Sequence, residues 1–341
     1  MYIIGGGVDR IATFTTSEVF MTDNLVYTTQ TEKPSHRLSN NLLVRVAAEF
    51  VGTAVIAFAI YVISSWGTMI NSNSSLIMVG VGTGLAYAAA SLTFGRASGG
   101  HFNPAVSFAG MLTGVVTWLQ GLLYIVAQVL GALAAAGVWH LLTPVSQNAP
   151  RKMWMSIVVN GFGTNSTSAT LLGSSSGLSF GITAAVVMEL VFTIVVITAF
   201  YTTVRPNGSA HKNHAFALAA AYGVSAMALY LVDGVGLNPA RSTGIAVVGS
   251  FDGLTTNPLQ QLWVFWIVPL VAAAVVAFGL IIRDSVQAQR AETEAAVAAL
   301  RLEQEAAAAA DDGDDEATDE DAEESLPEVI VETEEPNAEK E

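Results

Sequence analysis

Cysteine is missing from this chain. Disulfides and thiolate chemistry are therefore excluded, and composition is silent on the redox compartment. Charge is scarce as well: 13% of residues are charged while 52% are hydrophobic. A soluble domain carries about a quarter charged residues, so the balance points to a membrane protein with the lipid bilayer as its main surroundings. Basic patches are missing, so no nucleic-acid partner is expected. The sequence also has no metal-ligand cluster, no nucleophile–base pair and no phosphate loop. An enzyme, a metal or a cofactor is not expected. The first 40 residues are polar and Thr-rich and lack the positive-then-apolar order of a signal peptide.

The acidity is local. Residues 284–341 hold 21 of the 29 acidic and 3 of the 14 basic residues, a balance of −18; residues 1–283 hold the other 8 and 11, a balance of +3. The first 283 residues are thus close to neutral, and the negative charge belongs to a tail. Arg outnumbers Lys by ten to four. An acidic, hydrated tail suits either a high-salt cytoplasm or partner binding.

What remains is long apolar runs. Six are long enough to span, near 44–66, 76–95, 118–141, 180–203, 214–233 and 261–283. The division expected is a polar extension over 1–43 and a membrane segment over 44–283, with repeats 44–141 and 180–283 and an external loop over 142–179. After it come an Ala- and Glu-rich helix over 284–310 and an acidic, disordered tail over 311–341. Gly80, Gly82 and Gly84 are expected to let helices pack closely. Trp118, Trp139, Trp154, Trp263 and Trp266 fall near span ends and read as interfacial anchors. Asn73 and Asn165 open acceptor sequons in predicted external loops, where an unmodified polar loop is an equal reading.

Asn-Pro-Ala occurs twice, at Asn103-Pro104-Ala105 and Asn238-Pro239-Ala240, 135 residues apart. Each copy follows a glycine-bearing loop and opens a short apolar run. Pro at the first helical position lacks only an N–H that the helix does not use, so each Asn becomes the cap. A helix of about 10 residues is about 15 Å long, half of a ~30 Å hydrocarbon core. One such helix cannot span; two that enter from opposite sides and meet at their N-termini can. Three spans per half invert the second half relative to the first, which allows this meeting. The fold class expected is an all-α membrane protein of six transmembrane helices plus two re-entrant half-helices in an inverted 3+3 repeat. Arg37, Arg45, Arg96, Arg205, Lys212 and Arg283 share one side, against Arg151 and Lys152 on the other. Both termini are therefore expected in the cytoplasm.

With both motifs, Arg241 after the second, and Glu49 and Glu189 in matching spans, residues 44–283 resemble the aquaporin (major intrinsic protein) family. The resemblance implies an hourglass channel in the cell membrane, with one pore per protomer and a homotetramer. The expected function is passive passage of water, with small neutral solutes as further cargo and with ions and protons excluded. Ser242, Ala246 and Phe265-Trp266 are similar to the water-channel branch. The resemblance also implies an outer constriction of Thr83, Ala226, Val235 and Arg241. Water channels of the family carry Phe and His at the first two positions. Here both are small, so a wider opening is expected, and a glycerol, urea or ammonia facilitator is the alternative. A closed-pore structural protein is the third reading.

Roles follow from chemistry. Asn103 and Asn238 are expected to offer amide donors to a passing oxygen, since burying an unpaired polar group costs several kcal/mol. Arg241 and the two half-helix ends supply the positive potential of aquaporin-type pores. Glu49 and Glu189 read as proton-relay carboxylates or, as the resemblance implies and as is preferred here, as acceptors for loop backbone N–H groups. The resemblance implies that His101 lines the pore, as a static donor or as a pH-sensitive gate.

Overall fold

A computed structural model of the protein describes residues 19–22, 25–28 and 38–311. The acidic tail expected over 311–341 lies, beyond Asp311, outside these residues. Two short strands, β1 (Val19–Thr22) and β2 (Leu25–Thr28), pair antiparallel in the N-terminal extension. The all-helical reading did not contain this hairpin; Val, Phe, Tyr and Thr supply its β-propensity.

The remaining described elements are helical. Helix α1 (Leu42–Val62) continues through a π-helical turn at Ile63–Gly67 into α2 (Thr68–Ile70), and the whole forms one span. Then come α3 (Ser75–Ser98), the short α4 (Pro104–Leu112) and α5 (Trp118–Leu142). The segment read as loop over 142–179 folds into two short helices, α6 (Arg151–Val158) and α7 (Thr167–Ser176). Ser166 caps α7 by accepting from the Ala169 N–H, a local start signal inside a polar stretch. The second half holds α8 (Ile182–Thr202), α9 (His214–Asp233), the short α10 (Pro239–Gly249) and α11 (Val264–Asp311). The last helix runs unbroken past residue 283, where the end of the membrane segment was expected. Six helical segments among the described residues are long and apolar enough to cross a membrane.

The unit that ends at Ile282 exposes large apolar side chains and buries charged and polar ones within an apolar core. Val81, Leu85 and Leu92 form an exposed stripe on α3, while Glu49, Gln128, Glu189, Asp233 and Arg241 are buried. Such an arrangement suits lipid, where every interior polar group needs an internal partner. Helices α3 and α9 meet where Gly84 leaves no room for a side chain: a Cβ there would strike the Ala219 carbonyl and come within 3.3 Å of the Gly223 Cα.

The two halves brace each other crosswise. Glu49 and Tyr61 on α1 recur at the same spacing as Glu189 and Tyr201 on α8. The Tyr61 hydroxyl donates to the Arg241 carbonyl at 2.6 Å, and the Tyr201 hydroxyl to the Val106 carbonyl at 2.7 Å. Val106 and Arg241 each stand three residues after their motif's Asn. A tyrosine from each half therefore holds the half-helix of the other.

Candidate functional site

The site begins with the two caps. The Asn103 side-chain oxygen accepts from the Ala105 N–H at 2.9 Å. That of Asn238 accepts from Ala240 at 3.0 Å and Arg241 at 3.3 Å. Pro104 and Pro239 occupy the first helical positions. The loops that deliver these caps are strained. Phe102 and Leu237, each just before its Asn, have φ of 48° and 53°, and Val235 has φ of 68°. Left-handed backbone at a β-branched or bulky residue costs on the order of 1–3 kcal/mol, so the surroundings must impose it.

Carboxylates do so. Glu49 Oε1 accepts from Ser98 Oγ at 2.6 Å and from the His101 N–H at 3.0 Å. Its Oε2 accepts from the Phe102 N–H at 2.6 Å and Gln128 Nε2 at 2.7 Å. In the other half, Glu189 Oε2 accepts from the Leu237 N–H at 2.8 Å, and Asp233 Oδ1 from the Val235 N–H at 3.0 Å. Gly236 is required between them, because a Cβ there would enter the Glu189 carboxylate and the Phe265 ring.

The two asparagines then cross. Asn103 Nδ2 donates to the Leu237 carbonyl at 2.9 Å, and Asn238 Nδ2 to the Phe102 carbonyl at 2.8 Å. The remaining proton of each amide was expected to be free for a passing solute. It is engaged instead: Asn103 Nδ2 also donates to the Tyr222 hydroxyl at 3.0 Å, and Asn238 Nδ2 to the Tyr87 hydroxyl at 2.8 Å. The two tyrosine rings stack, with centroids 3.3 Å apart and planes 6° from parallel.

Arg241 is buried and held by the segment between α5 and α8. It donates to the Asn160 side-chain oxygen and, at 3.0 Å, to the Val158 carbonyl. Its guanidinium carbon lies 5.6 Å from the centre of the Tyr61 ring, a cation–π contact. A small cavity of about 10 Å³ has Thr83, Tyr87, Tyr222, Val235, Asn238 and Arg241 on its wall. That is about the least space that holds one water. Thr83 Oγ1 and Arg241 Nε are buried without a hydrogen-bond partner among the described residues. Of the four positions expected to form the outer constriction, Thr83, Val235 and Arg241 share this cavity. Ala226 is fully buried but is not on its wall; α9 reaches the cavity through Tyr222, one turn earlier.

His101 is 3% exposed, bonds Ser107 Oγ through Nδ1 at 3.2 Å and meets the Tyr124 and Phe200 rings edge-on at 5.3 Å. Trp118 and Trp263 are exposed near helix ends, as anchors would be. Trp139 is a correction: it is fully buried, its indole N–H bonded to Ser65 Oγ at 2.9 Å. Its position near a span end did not reveal that its face of α5 turns inward. Asn165 is buried as well, and its amide donates to the Thr256 carbonyl.

The profile of the major intrinsic protein family matches residues 35–279 of the chain. The chain belongs to this family. Aquaporin Z of Brucella melitensis is 30% identical over 71% of this chain and all of its own length. Aquaporin PIP2-1 of Arabidopsis thaliana is 32% identical over 68% of this chain and 78% of its own. The X-ray structure of the aquaglyceroporin from Plasmodium falciparum shares the fold, with a TM-score of 0.50 and 20% identity over 70% of this chain and 93% of its own. The protein is thus an integral membrane protein of the aquaporin fold, a channel for water or small solutes.

Within this aquaporin-family fold, sequence reasoning missed three residues that touch the site: Tyr87, Tyr222 and Asn160. For the tyrosines a signal was present. Tyr87 follows Thr83 by four residues and Tyr222 precedes Ala226 by four, so each shares a helix face with a constriction position. Asn160 carried no such signal, since its partner is 81 residues away.

Proposed function

We propose that this chain conducts water passively in both directions and excludes ions and protons. The observation that carries this reading is the cavity between Arg241 and the crossed asparagines. It has room for about one water, and the Thr83 hydroxyl and the Arg241 Nε lack a protein partner there among the described residues. A water supplies such partners. Cations and protons meet a buried guanidinium and the positive ends of two half-helices, the exclusion device of aquaporin-type pores. Asn103, Pro104, Ala105, Asn238, Pro239 and Ala240 build the meeting point, and Glu49 and Glu189 hold its loops. From the distribution of Lys and Arg, the chain lies in the cell membrane with both termini in the cytoplasm. From its family, it assembles as a homotetramer.

The second reading is a facilitator for glycerol, urea or ammonia, favoured by the small side chains of Thr83 and Ala226. Stopped-flow light scattering of proteoliposomes separates the two. Fast shrinkage in an impermeant osmolyte with slow re-swelling in glycerol is expected. Fast re-swelling in glycerol supports the facilitator. A response no faster than empty liposomes in both runs refutes the channel reading.

A further inference from the structure

We propose that Tyr87 and Tyr222 are the solute filter of this channel, one helical turn inward of the small residues Thr83 and Ala226; this rests on the channel function above. Helices α3 and α9 approach backbone to backbone at Gly84 and Gly223. The rings just past this contact stack against each other, and both are buried. Their 3.3 Å separation is inside the ~3.5–4.0 Å optimum for carbon contacts, so no solute passes between the faces.

The hydroxyls matter as much as the rings. Each takes the amide proton that a permeating oxygen would use, Tyr87 on Asn238 and Tyr222 on Asn103. A solute therefore advances by replacing a phenol hydroxyl on the amide. Water makes this exchange one hydrogen bond for another, and it needs only a small movement of the ring edge. Glycerol and urea are several times larger than water and need the rings to part. The aromatic barrier missing at the outer positions is thereby restored at the midplane, from residues that also compete for the asparagine donors.

Ring and hydroxyl can be tested apart, with wild type, Tyr87→Phe/Tyr222→Phe and Tyr87→Val/Tyr222→Val reconstituted in liposomes at equal protein density. Water efflux against sucrose and re-swelling in glycerol are recorded for each. The phenylalanine pair keeps the rings and frees the amides. Its water flux is expected to rise about threefold to tenfold, the rate equivalent of one net hydrogen bond, with glycerol still excluded. The valine pair removes the rings, and its glycerol flux is expected to rise about tenfold or more over wild type. If the valine pair is not monodisperse by size exclusion, Tyr222→Val alone serves, with a smaller gain in glycerol flux expected. Glycerol flux that stays at the wild-type level in whichever valine variant is reconstituted, with water flux intact, overturns the filter but leaves the channel reading standing. So does a wild type that passes glycerol as fast as the valine variant. Absence of water flux above empty liposomes in all of the proteins overturns the channel reading itself.

Discussion

Replacing Glu49 with Gln should damage the fold, and much more than the same change at Glu189. An ionised carboxylate accepts at about four lone-pair sites and donates nothing. At Glu49 the structure fills four, from Ser98, His101, Phe102 and Gln128. A glutamine keeps one oxygen and turns an NH₂ group on two of these donors. In its better orientation the NH₂ faces Ser98, whose hydroxyl can rotate and accept, and the His101 N–H is orphaned. An orphaned buried donor costs about 1–3 kcal/mol, and the surviving bonds lose their charge assistance, for a total of about 3 kcal/mol. At Glu189 the Leu237 N–H can keep its acceptor, because the glutamine oxygen replaces Oε2, and the Val235 N–H is held by Asp233. The loss there is about 1 kcal/mol. Residual monodisperse protein after heating in detergent, followed by size exclusion, measures both. The Glu49 variant should melt roughly 5–10 °C below wild type and the Glu189 variant a few degrees below. Equal midpoints for the two variants would refute the hydrogen-bond accounting. A well-folded Glu49→Gln channel with proton-coupled uptake would show a relay instead of a support.

Three further outcomes follow from the same geometry. Arg241→Val removes the buried cation beside the cavity and should raise proton or cation leak in proteoliposomes; unchanged conductance denies Arg241 that role. Asn160→Ala deletes a side-chain acceptor of the Arg241 guanidinium and should lower stability by about 2 kcal/mol in the wild type, but by much less in an Arg241→Val background. A full loss in both backgrounds contradicts the pairing. His101 is buried against the Tyr124 and Phe200 rings with Nδ1 on Ser107. Water flux should therefore be flat between about pH 5 and 8; a titration in that range that disappears in His101→Gln establishes a gate.

Much of the architecture is legible in the chain because it depends on local chemistry. Six apolar runs need only length and composition to be read as spans. The two Asn-Pro-Ala copies declare caps and helix starts through Pro φ and the Asn side chain, whatever surrounds them. An odd number of spans per half then dictates the inversion. The helices α6 and α7 were harder to see, since a Gly-, Ser- and Thr-rich stretch carries little apolar periodicity. Trp139 was misplaced for a related reason: a span end is a position along the helix, whereas burial depends on the angle around it.

What tertiary structure decided is which partners the expected site residues meet. Thr83 and Ala226 at the outer positions speak for a wide opening, and the proposed filter residues lie four positions along the same helices. A tyrosine in the middle of an apolar span looks like any core aromatic until its facing helix is known. Only the close approach of α3 and α9 at Gly84 and Gly223 brings Tyr87 onto Tyr222 and their hydroxyls onto the asparagine amides. Arg241 similarly announces a buried charge, but its acceptors on Asn160 and Val158 come from a distant segment folded over it. Sequence alone determined which groups had to be capped, buried or paired, because those demands belong to each residue. The fold decided which partner met each demand, because partners are chosen by distance in space and not along the chain.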